Sequence, residues 1–198
     1  MRINIKSFIP YNIIDTCSVW HLLSSDRLYN MAKTNGCYFS CTSYVFYECL
    51  YKPRKVGKEA DLRLVDKLKK KQNEFYSQSY SISIDDLQSI ITLEQRKALS
   101  KGELSSIVFA KKTRQAFLTD DQAARKLSES YLEYTHTQTT PHLFGWLSYN
   151  QKILDNDKTF IIQEHEANGG ELSKYFEEVF NKAREFILAE RDSSLVES

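Results

Sequence analysis

Tyr11-Asn12-Ile13-Ile14-Asp15-Thr16-Cys17-Ser18 is an apolar run stopped by a carboxylate and followed by small polar residues. A short apolar run with a polar stop reads as a buried strand. Residues 18–29 then change to helical spacing, with Val19, Leu22 and Leu23 on one side. The same alternation recurs along the chain. Residues 37–42 have the β-branched and aromatic character of a second strand, and Ser43 is the expected N-cap of a helix over 44–51 that Pro53 closes. Residues 59–74 read as a charged helix with Leu62, Val65 and Leu68 inward. Residues 80–84 alternate like a strand, and Asp85-Asp86 looks like the cap of a helix running towards Leu99. A helix opens near Gly102 and carries Ile107, Val108 and Ala110. Ala116-Phe117-Leu118-Thr119 is a further strand, ending in Asp120-Asp121 before a helix with Ala123, Ala124 and Leu127. Strands alternating with helices predict an α/β fold, a parallel sheet in a three-layer α/β/α sandwich.

The expected domain covers residues 1–154, and residues 155–198 form a C-terminal extension. Within it Leu172, Tyr175, Phe176, Val179, Phe180, Ala183, Phe186 and Ile187 fall at i, i+3, i+4, i+7 and onwards. That is an amphipathic helix, expected to dock on its own domain. Residues 191–198 are expected to fray.

Composition narrows the function classes. Lys+Arg total 27 against 26 Asp+Glu, so there is no global basic field, and a nucleic acid would have to be met by a local patch. No apolar run approaches the roughly 20 residues that cross a bilayer, and residues 1–10 lack a signal-peptide core. Cys17, Cys37, Cys41 and Cys49 match no zinc spacing and are expected as reduced thiols. The expected compartment is the cytoplasm, with no membrane partner.

The acids carry the chemistry. In a parallel sheet, ligands sit beyond the carboxyl ends of the strands. Asp15 closes the first strand, Glu48 lies on the helix after the second, Glu103 opens a helix, and Asp120-Asp121 closes a later strand. Strand periodicity puts Thr119 and Asp121 on one side, which makes Asp121 the primary candidate and Asp120 an auxiliary. Clustered carboxylates raise one another's pKa unless a cation neutralises them. Mg²⁺ or Mn²⁺ suits an all-oxygen site and supports phosphodiester hydrolysis. Each acid also has a purely structural reading. Asp15 and Asp121 could be N-caps, Ser100-Lys101-Gly102-Glu103 is a capping-box pattern, and Glu48 could be a surface residue.

These residues resemble the PIN domain family. The resemblance rests on Ile13-Ile14-Asp15-Thr16-Cys17-Ser18, on Thr42-x-x-Val45-x-x-Glu48, on Gly102-Glu103 opening an apolar helix, and on Leu118-Thr119-Asp120-Asp121-x-x-Ala124-Arg125. The last is similar to an Asp-Asp-x-x-Ala-Arg variant in some prokaryotic members. Residues 137–153, with Gly145-Trp146-Leu147, are similar to the closing strand and helix of that subset. Coverage is about residues 13–153. The resemblance implies a metal-dependent nuclease, more often an RNase than a DNase and frequently the toxin of a toxin–antitoxin pair. It puts Asp15, Glu48, Glu103 and one of the Asp120/Asp121 pair on the metal, with Asp121 the match in the Thr-x-Asp register. The chain departs from the pattern in having Glu at the third acid and in its added helices.

The partners to expect are therefore RNA ahead of DNA, an antitoxin or other protein, and a second copy of the chain. Lys52, Arg54 and Lys55, in the loop after the Glu48 helix, and Arg125, one turn past Asp121, are candidate phosphate contacts. Lys67, Lys69, Lys70 and Lys71 read as a solvated helix face. His21 and His142 show no sequence partner that would make them general bases. A haloacid-dehalogenase phosphatase is disfavoured because Cys17 stands where its second Asp belongs, and a response-regulator receiver because the acid pair here comes late. The remaining competitor is a PIN-like module that binds nucleic acid or protein without cutting.

Overall fold

In a computed structural model of the protein, which describes residues 4–52, 59–75, 83–94, 99–132 and 136–196, four short strands form one parallel sheet among helices. The strands are β1 (Tyr11–Ile14), β2 (Tyr38–Ser40), β3 (Ala116–Leu118) and β4 (Thr137–Gln138), in the order β2-β1-β3-β4. Ile13 lies opposite Ser40 on one side and Phe117 on the other. The chain moves from β1 outward to β2, then returns to the far side of β1 with β3. The β1/β3 junction is therefore the point where strand order reverses, the usual crevice of an open parallel sheet.

The helices are α1 (Thr16–Ser24), α2 (Asp26–Thr34), α3 (Ser43–Leu50), α4 (Glu59–Lys70), α5 (Gln72–Phe75), α6 (Ile84–Glu94), α7 (Lys101–Thr113), α8 (Gln122–Tyr131), α9 (Thr140–Tyr149), α10 (Asp155–Ala167) and α11 (Ser173–Val196). Successive strand residues go to different clusters, as a period of two requires. Ile13 and Phe117 join Leu104, Ile107, Ala124 and Leu127 from α7 and α8. Ile14 and Leu118 join Val19, Leu22, Phe144 and Phe176 from α1, α9 and α11. With both faces covered, β3 is apolar throughout and β1 is apolar at Ile13 and Ile14, while the buried Asn12 is held by hydrogen bonds to the Ile9 carbonyl and Gln138.

Three sequence expectations are revised. The helix expected over 18–29 is two helices, because Ser25 takes extended backbone angles and accepts the Leu28 amide at 3.1 Å as the N-cap of α2. Serine competes well for that role and poorly for a helix interior. The charged helix expected over 59–74 breaks between α4 and α5, and its inner face is Leu64 and Leu68, one turn apart. Leu62 is exposed. Ile84 belongs to α6 rather than to a strand. Ser83 starts that helix, accepting the Asp86 amide at 3.2 Å while its own amide donates to Asp86 at 2.8 Å. The rest of the 80–84 stretch, and Pro53, lie outside the described residues.

The extension packs on the sheet-bearing part of the chain. Phe176 stacks on Phe144 with ring centroids 4.6 Å apart, and Val179, Phe180 and Ala183 are buried with it. A Cβ on Gly145 would meet Ile5 Cγ2 at 2.7 Å and Val179 Cβ at 3.1 Å, so glycine is what lets α9 and α11 approach. Tyr175 and Phe186, counted on the inner stripe by periodicity, are exposed instead. All four cysteines are free, and Cys37, Cys41 and Cys49 are buried. Among the described residues no helix is long and apolar enough to cross a membrane.

Candidate functional site

Every strand of the sheet delivers a polar residue at its carboxyl end, and β1 and β3 deliver acids side by side. Asp15 follows β1 immediately. It is completely buried and is the N-cap of α1, accepting the Ser18 amide at 2.9 Å and the Cys17 thiol at 3.0 Å on Oδ1. Thr119, next after β3, donates its hydroxyl to Asp15 Oδ2. The same Thr119 oxygen accepts the Asp121 amide at 3.2 Å, so one threonine ties the two strand ends together.

Asp121 in turn caps α8, with Oδ1 accepting the Ala124 amide at 2.7 Å. Glu103 closes a reciprocal capping box at the start of α7: its Oε2 accepts the Ser100 amide at 2.7 Å and its amide donates to Ser100 Oγ at 3.2 Å. Glu48, on α3, is not a free surface residue. It accepts the Thr16 hydroxyl at 2.7 Å, and the Ser100 hydroxyl and Gly102 amide each at 3.4 Å. Glu48 thus bridges the start of α1, beside Asp15, to the start of α7, beside Glu103.

Electrostatics follow from that packing. Burial pushes the Asp15 carboxyl above its usual range, and the Asp120 charge adds to this; hydrogen bonds from Cys17, Thr119 and Ser18 oppose it. Burial also raises Glu103, with the charges of Asp15 and Asp121 contributing and the Ser100 bonds opposing. No basic side chain pairs with Asp15, Glu103 or Asp121 among the described residues. Burial pushes the Cys17 thiol far up, and the Asp15 and Asp120 charges push it further, so Cys17 is no nucleophile here.

Asp120 differs from its neighbour. Its side chain is 5% exposed and accepts His21 Nδ1 at 2.8 Å, the Thr140 amide at 2.9 Å and the Thr140 hydroxyl at 2.6 Å. Burial opposes its ionisation, but the His21 hydrogen bond and charge, with Thr140, hold its carboxyl below the usual range. His21, without any partner by sequence, therefore has one 99 residues away. Asp120 has both carboxylate oxygens engaged and joins α1, the end of β3 and α9.

Of the candidate phosphate contacts, Arg125 lines a cleft beside Asp120. Lys52 reaches Glu48 only at 3.9 Å and is largely exposed. Arg54 and Lys55 lie outside the described residues. The lysines of α4 and the turn after it are not uniformly solvated: Lys67 pairs with Asp26 at 2.8 Å, and Lys71 lies over the Tyr29 ring at 4.5 Å. Another cavity, of about 350 Å³, opens at the opposite end of β3, lined by Lys111, Arg114 and Tyr131, away from the acids.

The acids suit a hard divalent cation in donor type, being oxygen ligands without a neutralising base. They are not gathered into a closed cage: among the described residues no three His, Cys, Asp or Glu side chains are grouped as ligands. The caps leave room all the same. Asp121 uses only Oδ1 and Glu103 only Oε2, so each has a second oxygen without a hydrogen bond among the described residues. What sequence reasoning missed is the polar frame of Thr16, His21 and Thr140, and that Ser100, legible as a cap, also donates to Glu48. Thr16 was visible only as the neighbour of an acid, and the pairing of His21 and Thr140 with Asp120 gave no local signal. Compared with family models, curated proteins and solved structures, the chain matches none.

Proposed function

We propose that the chain is a PIN-like, three-layer α/β/α enzyme that cleaves RNA in a divalent-metal-dependent reaction. The observation that carries this reading is Asp15, fully buried at the β1/β3 reversal with no basic partner among the described residues, its carboxyl raised by burial and by the Asp120 charge, while its own charge and that of Asp121 raise Glu103. An ionised carboxylate held that way is costly unless something neutralises it. Clusters covering both neighbours of each central strand residue support the layered arrangement.

Asp15, Glu103 and Asp121 would hold the ion, with Glu48 completing the set. A bound Mg²⁺ or Mn²⁺ would neutralise these acids, lower the pKa of an attacking water and polarise the phosphoryl group. The chain's own contribution is orientation. Thr119 fixes Asp15 against Asp121, the caps hold one oxygen of Asp121 and of Glu103 in place, and Arg125 is positioned for a phosphate. The test is cleavage of single-stranded RNA by purified protein with Mn²⁺ or Mg²⁺, abolished by EDTA. Asp15→Asn should lose at least a hundredfold in rate while keeping its circular dichroism. Metal-independent cleavage, or equal rates in the variant, would overturn the proposal.

A second reading has its own support. Asp15, Glu103 and Asp121 all act as helix caps, a role complete without chemistry. A binding module built on these caps would show no Mn²⁺-dependent rise in melting temperature, whereas the nuclease would, and would lose it in Asp15→Asn.

A further inference from the structure

A cleft of about 320 Å³ runs from Asp120 and Arg125 to the C-terminal helix, where Tyr175 and Glu178 form its other wall and Thr139 lies between. Leu172, just before α11, and Val179 on it are buried and anchor that wall, but Tyr175 is 53% exposed. A large aromatic side chain half in water, on a rigid helix and facing a cleft, has unsatisfied apolar area. Arg125 makes no ion pair among the described residues, so its guanidinium is available to an anion. Asp120 lines the same cleft but makes no ion pair with Arg125, its two oxygens being engaged by His21 and Thr140.

We propose that this cleft is a nucleotide subsite, in which one base of a single-stranded polynucleotide stacks on Tyr175 while its phosphate pairs with Arg125. Charge sets the orientation. Arg125 draws the phosphate to α8 and Glu178 repels it from the α11 wall, while the Asp120 carboxylate beside Arg125 is already engaged by His21 and Thr140, so the backbone runs along α8 and the base turns towards α11. Stacking on an aromatic ring tolerates any base and requires an unpaired one, which makes single strands the substrate class. The α11 extension thereby becomes part of substrate recognition. The subsite deepens the nuclease reading and rests on it for its place beside the acids.

The test is fluorescence anisotropy with a short labelled single-stranded RNA, using the full chain in an Asp15→Asn background with Mn²⁺ so that the probe is not cut. Tyr175→Ala should weaken binding roughly tenfold and Tyr175→Phe should bind nearly as the parent does, because the ring and not the hydroxyl is used. Arg125→Ala should weaken binding and lower the salt slope by about one. Single-stranded DNA should show the same Tyr175 dependence, since base and phosphate are common to both. Unchanged binding in Tyr175→Ala, or duplex RNA bound as tightly as single strands, overturns the subsite. Tyr175-dependent binding without any cleavage by the wild type would leave the subsite standing and remove the nuclease. Cleavage with an unaltered KM in Tyr175→Ala would do the reverse.

Discussion

Gly102 lies so close beneath Glu48 that a Cβ on it would come within 2.4 Å of the carboxylate Oε2. The contact explains why a glycine stands in the first turn of α7, where alanine would favour the helix by about 1 kcal/mol. The two residues are 54 apart in sequence, and the backbone amide of Gly102 donates to the same carboxylate.

Gly102→Ala therefore sets two effects against each other. Helix propensity gains, while the Glu48 head group, the end of a flexible side chain, must swing away. The melting temperature should move little, by under about 1 kcal/mol in stability. Metal-dependent cleavage should fall at least tenfold. Measuring both on one preparation separates them, and a variant with full activity would show that Glu48 need not stay over Gly102.

Asp15→Asn should stabilise the metal-free protein. Asparagine caps a helix about as well as aspartate, so the α1 cap survives. What disappears is a buried charge whose folded pKa is raised, and such a group costs stability as pH rises above its unfolded value of 3.8, the full cost being present once the pH exceeds the folded pKa. Thermal melts in EDTA at neutral pH should show the variant level with or above wild type. With Mn²⁺ the order should reverse. A variant less stable in EDTA by several degrees would mean that the charge is already compensated.

His165 gives the clearest pH dependence. It is fully buried, and its two nitrogens have fixed roles. Ser24 gives its only hydroxyl proton to the His21 carbonyl at 2.6 Å, so it must accept from His165 Nδ1, and Nε2 accepts the Leu172 amide at 3.0 Å. A proton on Nε2 would face the Leu172 N–H. Burial, and then the nearby His21, lower the His165 pKa from 6.5 to about 4. Because the folded value is the lower one, this stabilisation is fully present above pH 6.5 and is lost as pH falls towards 4. The loss is on the order of 3 kcal/mol at most. In urea titrations His165→Gln should start lower, having lost its contact with Phe176, yet should lose less stability than wild type between pH 6.5 and 4.5. Parallel pH profiles would show that another group carries the acid sensitivity.

How much of this was legible in the sequence depends on the range of the interaction. β1 with Asp15, β3 with Asp120-Asp121, and the Ser100–Glu103 box were readable because each is a local pattern of a few residues. The Ser25 break was carried by a local signal, a serine pair before Asp26, and was outweighed by the apolar spacing around it. The assignment of Asp120 as auxiliary and Asp121 as primary followed from strand alternation. The reason for their difference, the His21 bond, has no local trace. Tyr175 shows the limit of periodicity: it belongs to the apolar stripe of α11, and only the position of Arg125 and Asp120 across the cleft decides that it meets solvent.

The His21–Asp120 pair can be weighed by a double-mutant cycle. Asp120 is nearly inaccessible and its carboxyl is held down chiefly by His21, so His21→Ala leaves a buried acid with only Thr140 to support it. Asp120→Asn alone should cost less, because Thr140 can still donate to the amide oxygen. With both changed, the penalty of the stranded charge vanishes, and the coupling energy should come to about 1–3 kcal/mol. Neither residue should move the Mn²⁺-induced stabilisation by more than a small factor, since both Asp120 oxygens are engaged by His21 and Thr140. Additive single effects would mean that the imidazole is only packed against α9, and a large loss of Mn²⁺ response in Asp120→Asn would promote Asp120 to a ligand in place of Asp121.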